Sequence, residues 1–211
     1  MNFLAHIALS GQNPKLIMGN FSGDYVKGKL DFTKKMGFDP DFLDGLRLHR
    51  FIDHLTDTHP IVKEMIRQLR GHYGRGASIV TDIAFDHFLA RNFNRFYDLS
   101  LRDFVNGFYK VYSEYSDLIP VEMRPLAESL VENDWLFKYR EWETVERTLK
   151  SMARRYTFLG DFSRSPTMFK ENLGTFEAYF LEFYPGLKRE CERFLAGRGV
   201  GESEGGDLEL S

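Results

Sequence analysis

Apolar residues recur along most of this chain at three- and four-residue spacing, the periodicity of amphipathic α-helices, and few segments show the alternation of a β-strand. Three helix starts are marked by a capping side chain followed by proline, at Asn13-Pro14, Asp39-Pro40 and Ser165-Pro166. The pattern therefore predicts an all-α protein. The predicted helices cover residues 14–26, 40–59, 60–70, 77–96, 101–119, 121–132, 141–154 and 166–196.

Local signals at the helix ends support this division. Gly28 ends the first predicted helix and is followed by a polar loop over residues 29–38. The sequence GHYGRG over residues 71–76 predicts a second loop. Ser100 with Asp103 has the spacing of a capping box and marks the start of a further helix.

Length and composition favour one large domain. The chain has 211 residues, of which 43% are hydrophobic and 15% aromatic, enough to bury a sizeable core. No internal repeat or interdomain linker is visible. Residues 1–196 are therefore predicted to form a single bundle-like domain of about seven to nine helices. The Gly- and Glu-rich residues 197–211 are predicted to be a disordered tail.

Charge and cysteine content restrict the class of partner and the compartment. With 28 basic and 31 acidic residues the formal net charge is −3, which does not indicate binding to nucleic acid or to an anionic membrane. The single cysteine, Cys191, excludes an intrachain disulfide framework and fits a reducing cytoplasm. The N-terminal segment lacks the pattern of a signal peptide, and no run approaches the roughly 20 apolar residues of a membrane-spanning helix. We therefore expect a cytoplasmic protein.

The informative polar residues lie inside otherwise apolar helices. Asp86 and His87 occur in the most apolar predicted helix, where a carboxylate is costly unless it is paired, hydrogen-bonded or bound to a metal. His49, Asp53 and Asp57 are spaced four apart and share one helix face. His and Asp side chains together suit Mg, Mn, Fe or Zn. From spacing alone, a metal or acid–base site and ordinary structural ion pairs are equally compatible with this pattern.

At these positions the sequence resembles the bacterial acyl carrier protein phosphodiesterases. The resemblance extends to about residue 188 and consists of blocks in the family's order, with weaker matches at NDWLFKYR and EFYPGL. The specific blocks are MNFLAHIAL at the N-terminus, GNFSGDYVKG around Asp24, GLRLHRFIDHLTD over residues 45–57 and FDHFLARNF from Phe85.

The resemblance implies a distant relationship to helical metal-dependent phosphohydrolases of the HD type. It also implies hydrolysis of the phosphodiester that joins 4′-phosphopantetheine to a serine of holo-acyl carrier protein, with Mn²⁺ or Mg²⁺ as cofactor. The residues that match the family's motifs, and that the resemblance implies as metal ligands, are His6, Asp24, His49, Asp53, Asp86 and His87. The chain departs from the family's pattern at Arg47, where the family carries His.

Our mechanistic hypothesis assigns catalytic roles to three of the matching residues. Asp24 is expected to be a ligand that also orients the attacking water, and Asp86 a ligand required for turnover. Arg50 is expected to steady the phosphate or to orient Asp53 through its planar guanidinium. The plain alternative for Arg50 is an intrahelical ion pair, and for His6 a packed core histidine.

An acidic carrier protein requires a basic surface beside the pocket. The candidate docking residues are Lys27, Lys29, Lys34, Lys35 and Arg47. Two other functions remain open from the sequence: an HD-type hydrolase of a nucleotide or other small phosphoester, and a non-catalytic helical interaction protein with a degenerate site, which the change at Arg47 favours. The oligomeric state cannot be read from the sequence.

Overall fold

In a computed structural model, residues 1–30, 37–155 and 166–197 are described, and every regular element in these ranges is helical. The predicted all-α class is confirmed. In chain order the α-helices are α1 Phe3–Ala8, α2 Pro14–Phe21, α3 Pro40–Thr58, α4 Pro60–Tyr73, α5 Ala77–Arg91, α6 Leu101–Tyr115, α7 Arg124–Glu132, α8 Trp135–Lys138, α9 Trp142–Arg155, α10 Pro166–Glu171 and α11 Leu173–Gly197. Short 3₁₀ turns lie at Gly23–Tyr25, Gly74–Gly76, Phe93–Arg95, Ser116–Leu118 and Val121–Met123.

Side-chain caps confirm three of the predicted helix starts. The side-chain oxygens of Asn13, Asp39 and Ser100 each accept a hydrogen bond from a backbone N–H two or three residues further on. These bonds satisfy N–H groups that have no partner within the helix. His59 caps α4 in the same way, because its side chain accepts from the N–H of Ile61. From the sequence, the boundary between residues 59 and 60 is predicted only as a helix end before proline.

Several helix ends differ from prediction. α2 stops at Phe21, and the chain continues into the turn Gly23–Tyr25. α4 runs through Gly71 to Tyr73, so the predicted loop over residues 71–76 shortens to a single 3₁₀ turn. The reason is tertiary: Tyr73 is buried in the core, and this packing outweighs the weak helix propensity of glycine.

The helices of the C-terminal region also differ from those predicted. The predicted long helix is divided at Asn172 into α10 and α11. Pro185 lies inside α11 without ending it. The buried aromatic side chains of Phe180 and Tyr184 stack on each other just before this proline, with ring centroids 5.0 Å apart. Residues 197–211 were predicted to be a tail, and residues 198–211 lie outside the described part of the chain.

Two glycines let α2 and α3 cross with their backbones almost in contact. A Cβ on Gly45 would lie 2.2 Å from the carbonyl oxygen of Leu16, and one on Gly19 would lie 2.1 Å from that of Phe42. Both atoms belong to backbone and cannot rotate away. The crossing therefore requires glycine at both positions, and it brings the middle of α3 against the end of α2.

α5 runs through the interior of the bundle. Eleven of its fifteen residues are buried, and the side chains of Phe85 and Phe88 both pack against Phe180 of α11. The predicted buried position of Asp86 and His87 is confirmed, at 0% and 1% exposure. Within the described ranges, none of the helices combines the length and apolarity that crossing a membrane requires. The relationship to the HD type stays a prediction.

Candidate metal centre

Side chains of three predicted site residues meet between α1 and α3. His6 comes from α1, while His49 and Asp53 lie one turn apart on α3. One ligand atom from each of the three lies within 4.8 Å of the others. Nε2 of His6 is 3.3 Å from Oδ1 of Asp53, and Nε2 of His49 is 3.2 Å from Oδ2. We call these three residues the His–His–Asp cluster.

Asn20 of α2 fixes the orientation of both imidazole rings. Its side-chain oxygen lies 2.8 Å from Nδ1 of His6, and its backbone oxygen lies 2.7 Å from Nδ1 of His49. The amide of Asn20 donates to the carbonyl of His6 and to the hydroxyl of Ser10, both at 2.8 Å, which settles which end of the amide faces the ring. A carbonyl oxygen can only accept, so Nδ1 of each ring carries the proton. The rings stack with centroids 4.0 Å apart.

This tautomer makes the cluster suitable for a cation. When both rings are neutral, as metal binding requires, the Nε2 atoms of His6 and His49 carry the lone pairs, and both face Asp53. Nε2 of His6 is buried and has no hydrogen-bond partner among the described residues. A lone pair beside an anionic carboxylate is repulsive unless a proton or a metal ion lies between them. Two imidazole nitrogens with carboxylate oxygens form a donor set that fits a divalent transition metal, and hydrogen bonds from the second ring nitrogen are typical of metal-binding histidines.

Electrostatics within the cluster also favour a positive charge. Burial opposes the charged form of His49, but Asp24 and Asp53 raise its pKa to about 9. Burial and the neighbouring His49 lower the pKa of His6 to about 4. Burial also opposes ionisation of Asp53, yet His49 and His6 hold the pKa of that carboxyl well below its usual range. The cluster thus combines an ionised carboxylate with a neutral His6 whose lone pair is available.

Asp24 lies at the edge of the cluster. It follows Gly23 in the turn after α2, and its carboxylate lies 3.4 Å from Nε2 of His49. Its side chain is 67% exposed, in contrast to the buried histidines. The hydrogen bond with His49 lowers the pKa of Asp24. Asp24 is therefore an ionised carboxylate at the solvent-facing side of the His–His–Asp cluster.

Asp86 lies outside this cluster and instead holds the start of α1. Its two carboxylate oxygens accept hydrogen bonds from the backbone N–H groups of Leu4 and Ala5, at 2.8 and 3.0 Å. Burial raises the pKa of Asp86 to about 7, although these N–H groups favour the ionised form. No side chain caps α1 from its own N-cap position at Asn2. A residue more than eighty positions away in sequence therefore satisfies the first turn of the helix that carries His6.

His87 points away from the cluster. Its Nδ1 lies 2.6 Å from the carbonyl oxygen of Tyr139, and its ring packs edge-on against Trp142. Burial lowers its pKa, so the ring is neutral. Neighbouring residues on a helix project in different directions, which separates His87 from Asp86. The sequence prediction placed six ligands in one set; the structure brings His6, His49 and Asp53 together, leaves Asp24 beside them and puts Asp86 and His87 elsewhere.

Arg50 is exposed and holds the loop that follows Asp24. Its guanidinium donates to the carbonyl of Gly28 at 2.6 Å and to that of Val26 at 3.4 Å. The predicted alternative of an intrahelical ion pair is not what the structure shows, since the ion pairs of the described residues do not include Arg50. Its contacts indicate that Arg50 positions the segment carrying Asp24 and Lys27.

The candidate docking residues divide into three groups. Lys27 and Lys29 are exposed on the loop beside Asp24. Arg47 forms an ion pair with Asp44 on the same helix and is not one of the residues that line the cleft. The departure at Arg47 therefore lies outside the His–His–Asp cluster. Lys34 and Lys35 lie outside the described residues.

The cluster opens into a cleft of about 810 Å³. One wall is acidic and carries Asp24, Asp53, Asp57 and Asp82. Asp82 accepts a hydrogen bond from the α-amino group of Met1 at 3.0 Å. The volume lies within the roughly 300–1,000 Å³ typical of small-molecule sites. Asp53 lines the cleft, whereas His6 and His49 do not, so a ligand in the cleft meets the cluster on its Asp53 side.

Two contributors to the site were not found from the sequence. Asn20 orients both histidines, and its only signal was a polar residue within the apolar run LIMGNF of α2. Gly23 leaves room for His49, because a Cβ there would lie 2.1 Å from Cγ of that ring. Both residues fall inside the block GNFSGDYVKG, so the resemblance marked the segment without indicating their roles.

The fold and the cluster define an all-α, single-domain protein with a candidate metal-binding site at the base of a cleft. Comparison with known proteins identifies the family. The family described as "Acyl carrier protein phosphodiesterase" matches residues 1–187. This chain belongs to the acyl carrier protein phosphodiesterase family, whose members are hydrolases.

Curated relatives span nearly the whole chain. The acyl carrier protein phosphodiesterase of Photorhabdus laumondii is 32% identical over 193 residues, which are 91% of this chain and 96% of that protein. The proteins of the same name from Yersinia enterocolitica and Escherichia coli K12 are 31% and 30% identical, over 91% and 92% of this chain and 98% of each relative. No solved structure matched.

Proposed function

We propose that this protein hydrolyses the phosphodiester between 4′-phosphopantetheine and a serine of holo-acyl carrier protein, which leaves apo-acyl carrier protein. The observation that carries the proposal is the His–His–Asp cluster, which opens into a ligand-sized cleft in a chain of this family. The reaction would take place in the cytoplasm, where acyl carrier protein is available and Cys191 stays reduced.

His6, His49, Asp53 and Asp24 are the residues that would hold the metal, Mn²⁺ or Mg²⁺. Mixed nitrogen and oxygen donors favour Mn²⁺ over Mg²⁺, which prefers oxygen ligands alone. When bound, a divalent cation polarises phosphoryl oxygens and lowers the pKa of water. The predicted ligand roles of Asp86 and His87 are replaced in this proposal by supporting roles, because their polar atoms bond elsewhere.

The chain's own groups supply orientation and proton transfer. Asp24, ionised and exposed at the cleft, would orient the attacking water and accept a hydrogen bond from it. Asp53 would be a ligand beside the Nε2 atoms of both histidines, while Asn20 keeps the ring protons on Nδ1. Asp86 holds α1 in place and thereby positions His6. Arg50 holds the loop after Asp24 and would act by positioning rather than by contacting phosphate.

Acyl carrier protein would dock beside the loop that carries Lys27 and Lys29. These exposed lysines follow Asp24 closely and could steer an acidic partner toward the cleft. Lys34 and Lys35, a few residues further along, are proposed to extend the same basic surface. Arg47 would contribute less, since Asp44 already neutralises its charge.

Mass spectrometry of holo-acyl carrier protein incubated with the purified protein and Mn²⁺ tests the proposal. We expect loss of the phosphopantetheine mass from the carrier protein, and no loss with chelator or in Asp24→Ala. Asp117→Ala is the matched control, because this exposed carboxylate does not line the cleft, and it should retain full turnover.

The other outcomes distinguish the competing functions. A protein that binds Mn²⁺ and cleaves a small phosphodiester, but leaves holo-acyl carrier protein intact, would be a small-molecule phosphohydrolase. A protein that neither binds Mn²⁺ after reconstitution nor hydrolyses either substrate would be a non-catalytic interaction protein. Both results would overturn the assignment of substrate, and the second would also overturn the metal site.

A further inference from the structure

The wall of the cleft opposite the acidic residues is of different chemical character. It is formed by α8, α9 and the segment between them. Its polar lining includes Lys138, Thr144, Arg147, Thr148 and Ser151. Two of these side chains are cationic and three carry hydroxyl groups, whereas the facing wall carries four carboxylates. The lining of the cleft therefore has two parts: an acidic part that includes Asp53 of the candidate metal centre, and a neutral-to-basic part from α8 and α9.

Four of these residues form one stripe along α9. Positions 144, 147, 148 and 151 recur at three- and four-residue spacing, so they share one helix face. The stripe extends about 10 Å along the axis at the α-helical rise. The adjacent face is apolar, and its residues Val145 and Leu149 are buried in the core. Packing in the core thus explains why one face of α9 is apolar. It does not explain the polar residues on the face that lines the cleft.

Thr144 carries an unsatisfied hydroxyl group inside this wall. The residue is 7% exposed, and its Oγ1 atom is buried with no hydrogen-bond partner among the described residues. An unpaired buried hydroxyl is unfavourable, because the group loses its hydrogen bonds to water without replacement. The hydroxyl of Thr144 is therefore available for a polar group of a ligand in the cleft.

Arg147 is a charge without an ion-pair partner in the described ranges. Lys150 of the same helix behaves differently, because it forms an ion pair with Glu146, at 2.6 Å, and does not line the cleft. An unpaired guanidinium beside a ligand-sized cavity suits a phosphate, because its planar donors match phosphate oxygens. Arg147 therefore offers anion recognition on the wall that faces the metal centre.

We propose that this stripe binds the 4′-phosphopantetheine arm, with Arg147 pairing with its phosphate and Thr144 bonding to its amide or hydroxyl groups. This inference rests on the proposed function and extends it to the residues that recognise the prosthetic group. The arm is an extended chain with one hydroxyl, two amides and a phosphate at one end, and these groups can pair with the cationic and hydroxyl side chains of the stripe. Its dimethyl carbon would contact the apolar lining of the cleft, which includes Ile79 and Leu126.

Calorimetric titration with 4′-phosphopantetheine and with pantetheine, which lacks the phosphate, tests the role of Arg147. Arg147→Gln should weaken binding of 4′-phosphopantetheine by roughly tenfold or more, as expected for loss of a charge-assisted bond. Its affinity for pantetheine should equal that of the wild type. Lys150→Gln removes the same charge at a position of α9 that does not line the cleft, and it should leave both affinities unchanged. Equal affinity of wild type and Arg147→Gln for 4′-phosphopantetheine would overturn this role.

A second variant separates ligand binding from structural support. Thr144→Val keeps the shape and removes only the hydroxyl. If that hydroxyl serves the ligand, the variant should melt at or above the wild-type temperature, because a buried unpaired group is gone, while both ligands bind severalfold more weakly. A lower melting temperature with unchanged binding would show a structural role and contradict the inference.

Assays of turnover keep this inference distinct from the proposed function. If the wild type releases 4′-phosphopantetheine from holo-acyl carrier protein, but Arg147→Gln and Thr144→Val bind the free arm like the wild type, the function stands and the arm-binding stripe is wrong. If the wild type releases none, the proposed function is wrong, and the titrations still decide whether the stripe binds the arm. Lower kcat/KM for holo-acyl carrier protein in both variants, with wild-type affinity for Mn²⁺, would support both.

Discussion

Substitution of Gly23 by alanine should disrupt the candidate metal centre by a purely steric effect. A Cβ at this position would lie 2.1 Å from Cγ of His49 and 2.4 Å from both Cδ2 and Nδ1. The backbone can accept the substitution, because Gly23 is not among the glycines with positive φ. The ring cannot easily move aside, since it stacks on His6 and its Nδ1 bonds to the carbonyl of Asn20.

The size of the effect follows from the required displacement. Ordinary contact begins at 3.4 Å, so a separation of 2.1 Å requires Cβ and ring to move apart by 1.3 Å. Functional groups must be held within about 0.5 Å, and a misplacement of about 1 Å lowers rates by roughly 100-fold. We expect Mn²⁺ affinity and turnover to fall by roughly that factor. Overpacking should cost about 1–3 kcal/mol of stability, of which the stiffer unfolded chain offsets about 0.4–1 kcal/mol.

The assay is a Mn²⁺ titration followed by electron paramagnetic resonance, combined with urea unfolding and release of 4′-phosphopantetheine. Gly107→Ala in α6 is the matched control, because a Cβ there meets nothing within 4 Å. The control should keep wild-type affinity and gain slightly in stability. Wild-type Mn²⁺ affinity in Gly23→Ala would refute the assignment of His49 as a ligand in this geometry.

Three further predictions concern the supports of the site and its partner. Asn20→Ala should lower Mn²⁺ affinity by about 10- to 100-fold, because neither the tautomer nor the orientation of His6 is then fixed. Unchanged affinity would contradict the role given to Asn20. Asp86→Ala should abolish turnover while the helical circular dichroism signal stays largely intact, and it should lower stability by about 1–3 kcal/mol because two N–H groups lose their partner. Full activity in this variant would mean that His6 is positioned without the hydrogen bonds from Asp86 to α1. Charge reversal of Lys27 and Lys29 should raise KM for holo-acyl carrier protein and leave cleavage of bis(p-nitrophenyl) phosphate unchanged, and an unchanged KM would exclude this surface from docking.

The helical framework could be predicted from the sequence because its signals are local. Apolar spacing and the caps at Asn13, Asp39 and Ser100 act within a few residues, so a single segment contains the information for its own start. The ends were predicted less well where packing decides them. Tyr73 draws α4 past Gly71, and the stack of Phe180 on Tyr184 lies just before the Pro185 that α11 accommodates.

Part of the candidate site also followed from the sequence. His49 and Asp53 share a face because four residues complete about one helical turn, and their partnership was visible from spacing alone. A carboxylate in the apolar surroundings of Asp86 had to have compensating contacts, since burial is costly. The sequence indicated that the Asp86 carboxylate has a compensating contact, but not which group provides it.

Only the tertiary structure decided which of these residues act together. Asp86 bonds to the backbone at the start of α1 and so places His6 beside His49, a contact between segments about eighty residues apart. His87 adjoins Asp86 in sequence but projects in another direction and bonds to the chain at Tyr139. Spacing along one helix fixes relative direction within that helix, whereas the distance between two helices depends on how they pack. Here that packing depends on Gly19 and Gly45, whose missing side chains let α2 and α3 approach closely enough to form the site.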